Sequence, residues 1–148
     1  MVIDVIRDKS IDLYDYEGKL LERNRIDRLT DEKNVARVFH FWASWCDPCA
    51  IELPELISYA KKNHSDQSRK NPAQIFLISV DSEFEGLNKF TQIFPEILSQ
   101  HFIQMWDKNN AVSRRFGVGK LPMTIFLFPN GKMEVHEGVV SWKNLNLK

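Results

Sequence analysis

The sequence predicts an α/β domain built on a mixed central sheet, and three sets of observations carry that prediction. Val35 to Ala43 (VARVFHFWA) and Gln74 to Asp81 (QIFLISVD) are near-continuous β-branched and aromatic runs, the pattern of strands buried on both faces. Between them Leu53, Leu56, Ile57 and Ala60 recur at helical spacing, so strand, helix and strand form a parallel pair with a right-handed crossover. Met123 to Phe128 and Met133 to Gly138 flank Pro129-Asn130-Gly131-Lys132, a turn sequence that pairs these two strands antiparallel.

The remaining elements follow in chain order. Ile11 to Leu21 (IDLYDYEGKLL) holds two short apolar-bearing runs around Glu17-Gly18-Lys19, a hairpin signal in which Gly18 can take positive φ. Residues 1–34 are therefore expected to form an N-terminal β-hairpin extension, with one helical turn at Ile26 to Leu29. The helix that follows the first buried strand runs to about His64, with a kink expected at Pro54, which cannot donate to the carbonyl of Ala50. Glu85 to Ser99 reads as a helical region interrupted at Pro95, Phe102 to Trp106 as a short strand and Ala111 to Phe116 as a short helix. Met133 and Val135 alternate with Glu134 and His136, the pattern of an edge strand. The tail from Ser141 to Lys148 has room for only about two helical turns.

Composition narrows the function classes. The 148 residues suit one domain, 43% of them are hydrophobic and 27% charged, and the formal net charge is +0. Balanced charge gives no global field to recruit nucleic acid, and no apolar run is long enough to span a membrane. The opening MVIDVIRDKS carries acidic residues where a signal peptide needs an apolar stretch. Two readings of the compartment stay open: a cytoplasmic protein, or a mature extracytoplasmic domain with its leader removed.

The 2 cysteines, Cys46 and Cys49, are three positions apart. A bridge across so small a loop removes little unfolded-state entropy, so stability is a poor reason for the pair and chemistry a better one. A thiol reacts as its thiolate, and a free cysteine has a pKa of about 8.5. Cys46 falls where the strand ends and the helix begins, so unpaired backbone N–H groups can point at its sulfur. That effect is typically about 0.3–1 kcal/mol, or roughly a pKa unit at its upper end. Cys49 lies a turn deeper and shielded, which makes Cys46 the attacking thiol and Cys49 the resolving one. Pro48 suits the first helical turn, whereas Asp47 sets a like charge beside the Cys46 thiolate and opposes its acidification, which favours a reductant. Zinc would need two more ligands, and His40, His64, His101 and His136 are scattered without ligand spacing, so no metal is expected.

Phe41-Trp42-Ala43-Ser44-Trp45-Cys46-Asp47-Pro48-Cys49 closely resembles the thioredoxin-superfamily signature, and Cys49-Ala50-Ile51-Glu52-Leu53-Pro54 resembles its membrane-tethered or periplasmic TlpA/ResA-type branch. Residues 116–124 and 128–132 are similar to the second half of the same pattern, and the likeness runs from about Ile11 to Gly138. The resemblance implies a thioredoxin-like three-layer sandwich and a thiol-disulfide oxidoreductase that needs no cofactor beyond a redox-active disulfide. It implies that Pro122 is the family's cis-proline beside that disulfide, the plain alternative being a trans proline in a loop. Leu121 would then pair its backbone with an extended substrate segment. Trp42 and Trp45 are expected to serve packing and the substrate surface rather than the chemistry.

Glu52 matches the branch's acidic residue, either a partly buried proton carrier or an exposed glutamate that merely supports the helix. His40 departs from the pattern, since thioredoxin has a buried aspartate there. It is either a relay for the Cys49 proton or a satisfied core histidine. A second departure is a final helix that looks cut short after Trp142, leaving one face of the sheet thinly covered. The expected partners are cysteine-containing protein substrates, among which analogy with the branch suggests an apocytochrome, and an upstream thiol donor. The chain is expected to act as a monomer in the periplasm. Two other readings stand beside this one, a non-catalytic protein-binding module and a peroxiredoxin-type peroxidase. Ala43 stands where the peroxidase would want Thr or Ser.

Overall fold

β-Branched and aromatic residues concentrate where the chain is strand, and their period-two alternation divides the molecule into layers. The computed structural model describes residues 2–66 and 71–145. Strands β1 (Arg37–Trp42), β2 (Gln74–Ser79), β3 (Ile103–Trp106), β4 (Met123–Leu127) and β5 (Met133–Glu137) form a sheet ordered β3-β2-β1-β4-β5. β2 is parallel to both β1 and β3, whereas β4 is antiparallel to both β1 and β5, so the sheet is mixed as expected.

One face of this sheet carries Val38 and Trp42 of β1, Ile75 and Leu77 of β2 and Phe126 of β4. They pack on helices α3 (Asp47–Ser65) and α4 (Phe84–Ile93) through Leu53, Leu56, Leu87 and Phe90. The other face carries Phe39, Phe41, Phe76, Ile78 and Ile125 against α1 (Val2–Ile6), α2 (Arg23–Thr30) and α5 (Ala111–Arg115). Phe39 and Phe76, opposite each other in the β1–β2 register, stack at 4.9 Å between ring centroids. Helices on both faces of one sheet make the three-layer sandwich.

The N-terminal region corrects the hairpin expectation in part. The hairpin exists as a tight turn at Gly18 (φ 87°), closed by Asp15 N–H to Lys19 O (2.8 Å) and Leu21 N–H to Leu13 O (2.8 Å). It contributes one bridge, Tyr14 to Leu20, while Tyr14 also bridges antiparallel to Trp106 at the free edge of β3. Most of the ordered structure in residues 2–30 is instead helix, because Val2, Val5, Ile6 and Ile26 have the lower sheet face to cover. The periodicity of so short a run as VIDVI gives little warning of this.

Helix α3 is continuous through Pro54, where the sequence predicts a kink. Pro54 lies on the exposed side, where water can satisfy the carbonyl that its ring leaves without a donor. Near the helix end Asn63 exchanges two hydrogen bonds with the Ala73 backbone, 2.8 Å and 3.0 Å, which anchors the helix to the approach of β2. Of the apolar side chains in α4 and the turn after it, Phe90 and Ile97 are core, whereas Ile93 and Leu98 are exposed.

After β5, whose residues are all exposed, the described chain makes one 3₁₀ turn at Trp142–Asn144. Trp142 itself is 1% exposed and packs beside Tyr59 (5.3 Å), Phe126 (5.9 Å) and His40 (6.0 Å). Trp142 thus covers this end of the sheet against α3, with Val140 and Leu145 in the same cluster. Trp142→Ala should lower the unfolding free energy by about 3–5 kcal/mol in urea titration. Val139→Ala, at a position 55% exposed three residues earlier, should change it by less than about 0.5 kcal/mol. Equal effects would mean that Trp142 does not carry the packing at this end.

Candidate active site

The site begins where β1 stops. The strand ends at Trp42, and four residues later Cys46 takes extended geometry (φ −90°, ψ 105°) as the N-cap of α3. Its sulfur accepts the Cys49 N–H at 3.3 Å, the role that an oxygen side chain usually plays at this position. Asp47 and Pro48 open the helix, so the ring of Pro48 sits where no N–H is required. Cys46 and Cys49 are joined as a disulfide with Cα atoms 5.3 Å apart.

Both cysteines are nearly covered, Cys46 at 5% exposure and Cys49 at 4%, so the expected contrast between an open and a shielded thiol is absent in the bonded pair. The bond draws Cys46 Sγ inward towards Cys49, where it also meets the Cys49 N–H. The rim is open by contrast: Trp45 is 67% exposed, and Asp47 and Pro48 are exposed beside it. The Leu121–Pro122 peptide is cis, Pro122 is buried and Leu121 half-buried at the start of β4.

Beneath the disulfide lies a polar cluster inside the apolar layer. Cys49 and Glu52 are three residues apart on the buried side of α3, so both face the sheet. Glu52 is 2% exposed. Its Oε2 accepts the Val140 N–H at 2.7 Å and the Trp142 indole N–H at 3.1 Å, while Oε1 lies 3.2 Å from His40 Nε2. Nδ1 of His40 is 2.9 Å from Thr124 Oγ1, because the β1–β4 register sets these two residues directly opposite. Thr124, His40 and Glu52 therefore form a continuous chain of polar contacts from β4 through β1 to α3.

Burial decides the charge states. Loss of water raises the Glu52 carboxyl above its usual range, against the opposing pull of the Val140 and Trp142 donors. Burial lowers His40 from 6.5 to about 3, so its ring is neutral at neutral pH. The pair therefore gains or loses a single proton at Glu52 while His40 stays neutral in both states. When Glu52 is ionised, the His40 tautomer with its proton on Nε2 sets that N–H beside Oε1, an electrostatic contact outside hydrogen-bond geometry. When Glu52 is protonated, its hydroxyl faces the bare Nε2 and Nδ1–H turns to Thr124.

Of the residues that the sequence picks out, His40 and Glu52 meet, and so do Cys46 and Cys49. Glu52 is buried rather than an exposed helix residue, and His40 is a core histidine that is also in contact with a titratable partner. Sequence reasoning missed Thr124, Val140 and Trp142. Thr124 could have been found from strand register, but nothing in the tail sequence marks Val140 or Trp142 as partners of Glu52. It also missed Asp81, 2% exposed, which accepts the Ser44 N–H (3.1 Å) and hydroxyl together with the Ser79 hydroxyl (2.6 Å) and so fixes the loop before Cys46. Among the described residues no group of acidic, histidine and cysteine side chains could hold a metal ion.

The buried carboxyl has a pH signature in stability. In the folded chain Glu52 keeps its proton to higher pH than in the unfolded one. Its contribution is complete below the unfolded carboxyl range and is lost as pH rises through the folded value. His40 acts at the acid end, where stability falls as pH drops from 6.5 towards about 3. Glu52→Gln keeps an oxygen for Val140 and Trp142, so it should flatten the decline in stability as pH rises above the unfolded carboxyl range in urea titrations. An unchanged slope in that window would assign it to another group.

Comparison with known proteins adds the ancestry. Residues 12–136 match the model of the AhpC/TSA family. The thiol-disulfide oxidoreductase ResA of Oceanobacillus iheyensis is 30% identical over 107 residues, 72% of this chain and 51% of that protein. ResA of Geobacillus thermodenitrificans is 30% identical over 122 residues, 82% of this chain and 62% of its own length. This chain thus spans about half to three-fifths of those relatives. Among solved structures, a secreted Mycobacterium tuberculosis disulfide oxidoreductase homologous to DsbE of Escherichia coli superposes with a TM-score of 0.69 over 95% of this chain and 92% of its own. At 15% identity that likeness concerns the fold, which is the thioredoxin-like sandwich predicted from the motifs. The chain belongs to the AhpC/TSA family of thioredoxin-superfamily domains.

Proposed function

We propose that this protein is a thiol-disulfide oxidoreductase that reduces disulfides in protein substrates, with Cys46 as nucleophile and Cys49 as resolving thiol. The observation that carries the reading is the Cys46–Cys49 disulfide at the N-terminus of a 19-residue helix, with Cys49 N–H directed at Cys46 Sγ. Two relatives at 30% identity bear the name thiol-disulfide oxidoreductase, which supports it.

In the reduced protein the Cys46 thiolate attacks a substrate disulfide. A Cys46–substrate bond forms, the substrate bond breaks, and the departing substrate thiolate takes a proton. Cys49, as thiolate, then attacks Cys46 Sγ, expels the second substrate thiolate and leaves the Cys46–Cys49 disulfide. Two electrons pass to the substrate, and a thiol donor returns them. The helix N-terminus and the Cys49 N–H stabilise the thiolate of the first step, and Asp47 opposes them.

The second step requires Cys49 to lose its proton. Glu52, one turn further along the same buried side, accepts it, since burial raises its carboxyl and makes it a better proton acceptor than an exposed one. His40 stays neutral and holds Oε1 by switching its own proton between Glu52 and Thr124. Trp45, Asp47 and Pro48 form the rim that meets the substrate, and Leu121 beside Pro122 offers backbone to an extended segment. An extracytoplasmic setting fits the secreted relative and the likeness to the TlpA/ResA-type branch.

Dithiothreitol-driven insulin reduction tests the activity: the wild-type protein should accelerate it over buffer, and Cys46→Ser should abolish that acceleration. Cys49→Ser should instead accumulate mixed disulfides visible on non-reducing gels. Full activity in both variants would sink the cysteine roles. Glu52→Gln should prolong the lifetime of the mixed disulfide by about 10²-fold, and an unchanged lifetime would remove Glu52 from the proton step. Wild-type protein that is folded but inert towards insulin would favour a binding module, and rapid hydrogen peroxide turnover would favour a peroxidase.

A further inference from the structure

A groove of about 560 Å³ runs beside the disulfide rim, lined among others by Trp45, Asn110, Arg114, Val118, Gly119 and Leu121. Two of its walls, Trp45 next to Cys46 and Leu121 next to Pro122, belong to the proposed substrate surface. The third wall is α5 and the loop that leads into it. Asn110 adopts left-handed geometry there (φ 56°) and turns its carbonyl, with that of Asn109, towards Arg114. Arg114 Nε donates to Asn110 O at 3.2 Å and Nη2 to Asn109 O at 2.6 Å, which fixes the plane of the guanidinium.

Both of those partners are neutral carbonyls. Arg115, the next residue, pairs with Asp8 at 3.8 Å, but no carboxylate of the described residues pairs with Arg114. The acidic residue nearest in sequence, Asp107, is 0% exposed, and its oxygens are taken by the Val112 N–H (3.2 Å) and the Ser113 N–H (2.8 Å). Asp47 is exposed on the rim but does not line the groove. Lys120, exposed between Gly119 and Leu121, likewise does not line the groove. The groove is therefore apolar at Trp45, Val118 and Leu121 and cationic along one side.

We propose that this groove selects disulfide-bearing protein segments with an acidic side chain near the attacked cysteine, read by Arg114. The inference rests on the reductase reading above and adds the class of substrate to it. A segment laid along Leu121 with its sulfur at Cys46 passes over the groove, and a Glu or Asp a few residues from the cysteine meets an oriented guanidinium whose charge is uncompensated. Planar guanidinium and carboxylate groups pair through two parallel hydrogen bonds, so the preference is for carboxylate rather than for any polar group.

The test uses short peptides that each contain one intramolecular disulfide and differ only in carrying Glu, Gln or Lys at positions within three residues of the cysteine. Turnover is driven by dithiothreitol, which reduces the Cys46–Cys49 bond after each peptide disulfide becomes a dithiol. The expected kcat/KM ratio of the best Glu peptide to its Lys counterpart is about 10-fold at low salt, falling towards unity at about 0.5 M salt. Arg114→Glu should invert the ratio and Arg114→Gln should bring it near one, each ratio being internal to its own variant. Equal rates for the three peptides, or an unchanged ratio in Arg114→Glu, overturn the assignment to Arg114. If the wild-type protein turns over none of the peptides and no insulin, the reductase reading falls first.

Discussion

A carboxyl group 2% exposed in an apolar layer persists only if its oxygens are answered, and the answer to Glu52 ties the structure together. Its partners come from three other places in the fold. Val140 and Trp142 follow β5, and His40 is on β1, itself held by Thr124 on β4. The central strand, the strand beside it, the helix that carries the cysteines and the segment after the last strand therefore converge on one group. Displacement of any of them leaves a buried polar atom unsatisfied, which costs about 1–3 kcal/mol and more for a charge.

That convergence links stability to chemistry. The two donors on Oε2 favour the ionised carboxyl, whereas loss of water favours the protonated one and dominates. The balance leaves a group that gains and loses a proton without leaving the core, one helical turn from Cys49. His40 contributes because burial has stripped it of charge: a neutral imidazole can donate or accept at Nε2, and Thr124 can follow either state at Nδ1. An aspartate at position 40 would put two carboxyls in contact, and one of them would have to stay protonated.

The two ends of the site divide the labour differently. Around the cysteines, backbone N–H groups and the first turn of α3 act on sulfur, and Asp81 anchors the preceding loop through Ser44. Across the cis peptide, α5 is pinned by the buried Asp107 and brings a positive side chain to a groove that is otherwise apolar. The first part is common to any helix that begins at a redox pair. The second depends on which side chains a short helix happens to carry, so it is the part that can set preference among substrates.

The sequence by itself determined the strands, the crossover helix, the position of the redox pair at its first turn and the turn between β4 and β5. All of these rest on interactions within a few residues: alternation, helical spacing, turn residues and the fixed φ of proline. It also marked His40, Glu52 and Pro122 as candidates, though it left two readings open for each. Only the tertiary structure decided that Glu52 is buried, that its Oε2 is met by residues 88 and 90 positions away, and that His40 is its neighbour. The same holds for the helix at Val2–Ile6, the near-equal burial of Cys46 and Cys49, and the uncompensated charge of Arg114. The physical reason is that periodicity and turn chemistry are properties of neighbouring residues. The charge and burial of a side chain are set by whatever distant segments pack against it.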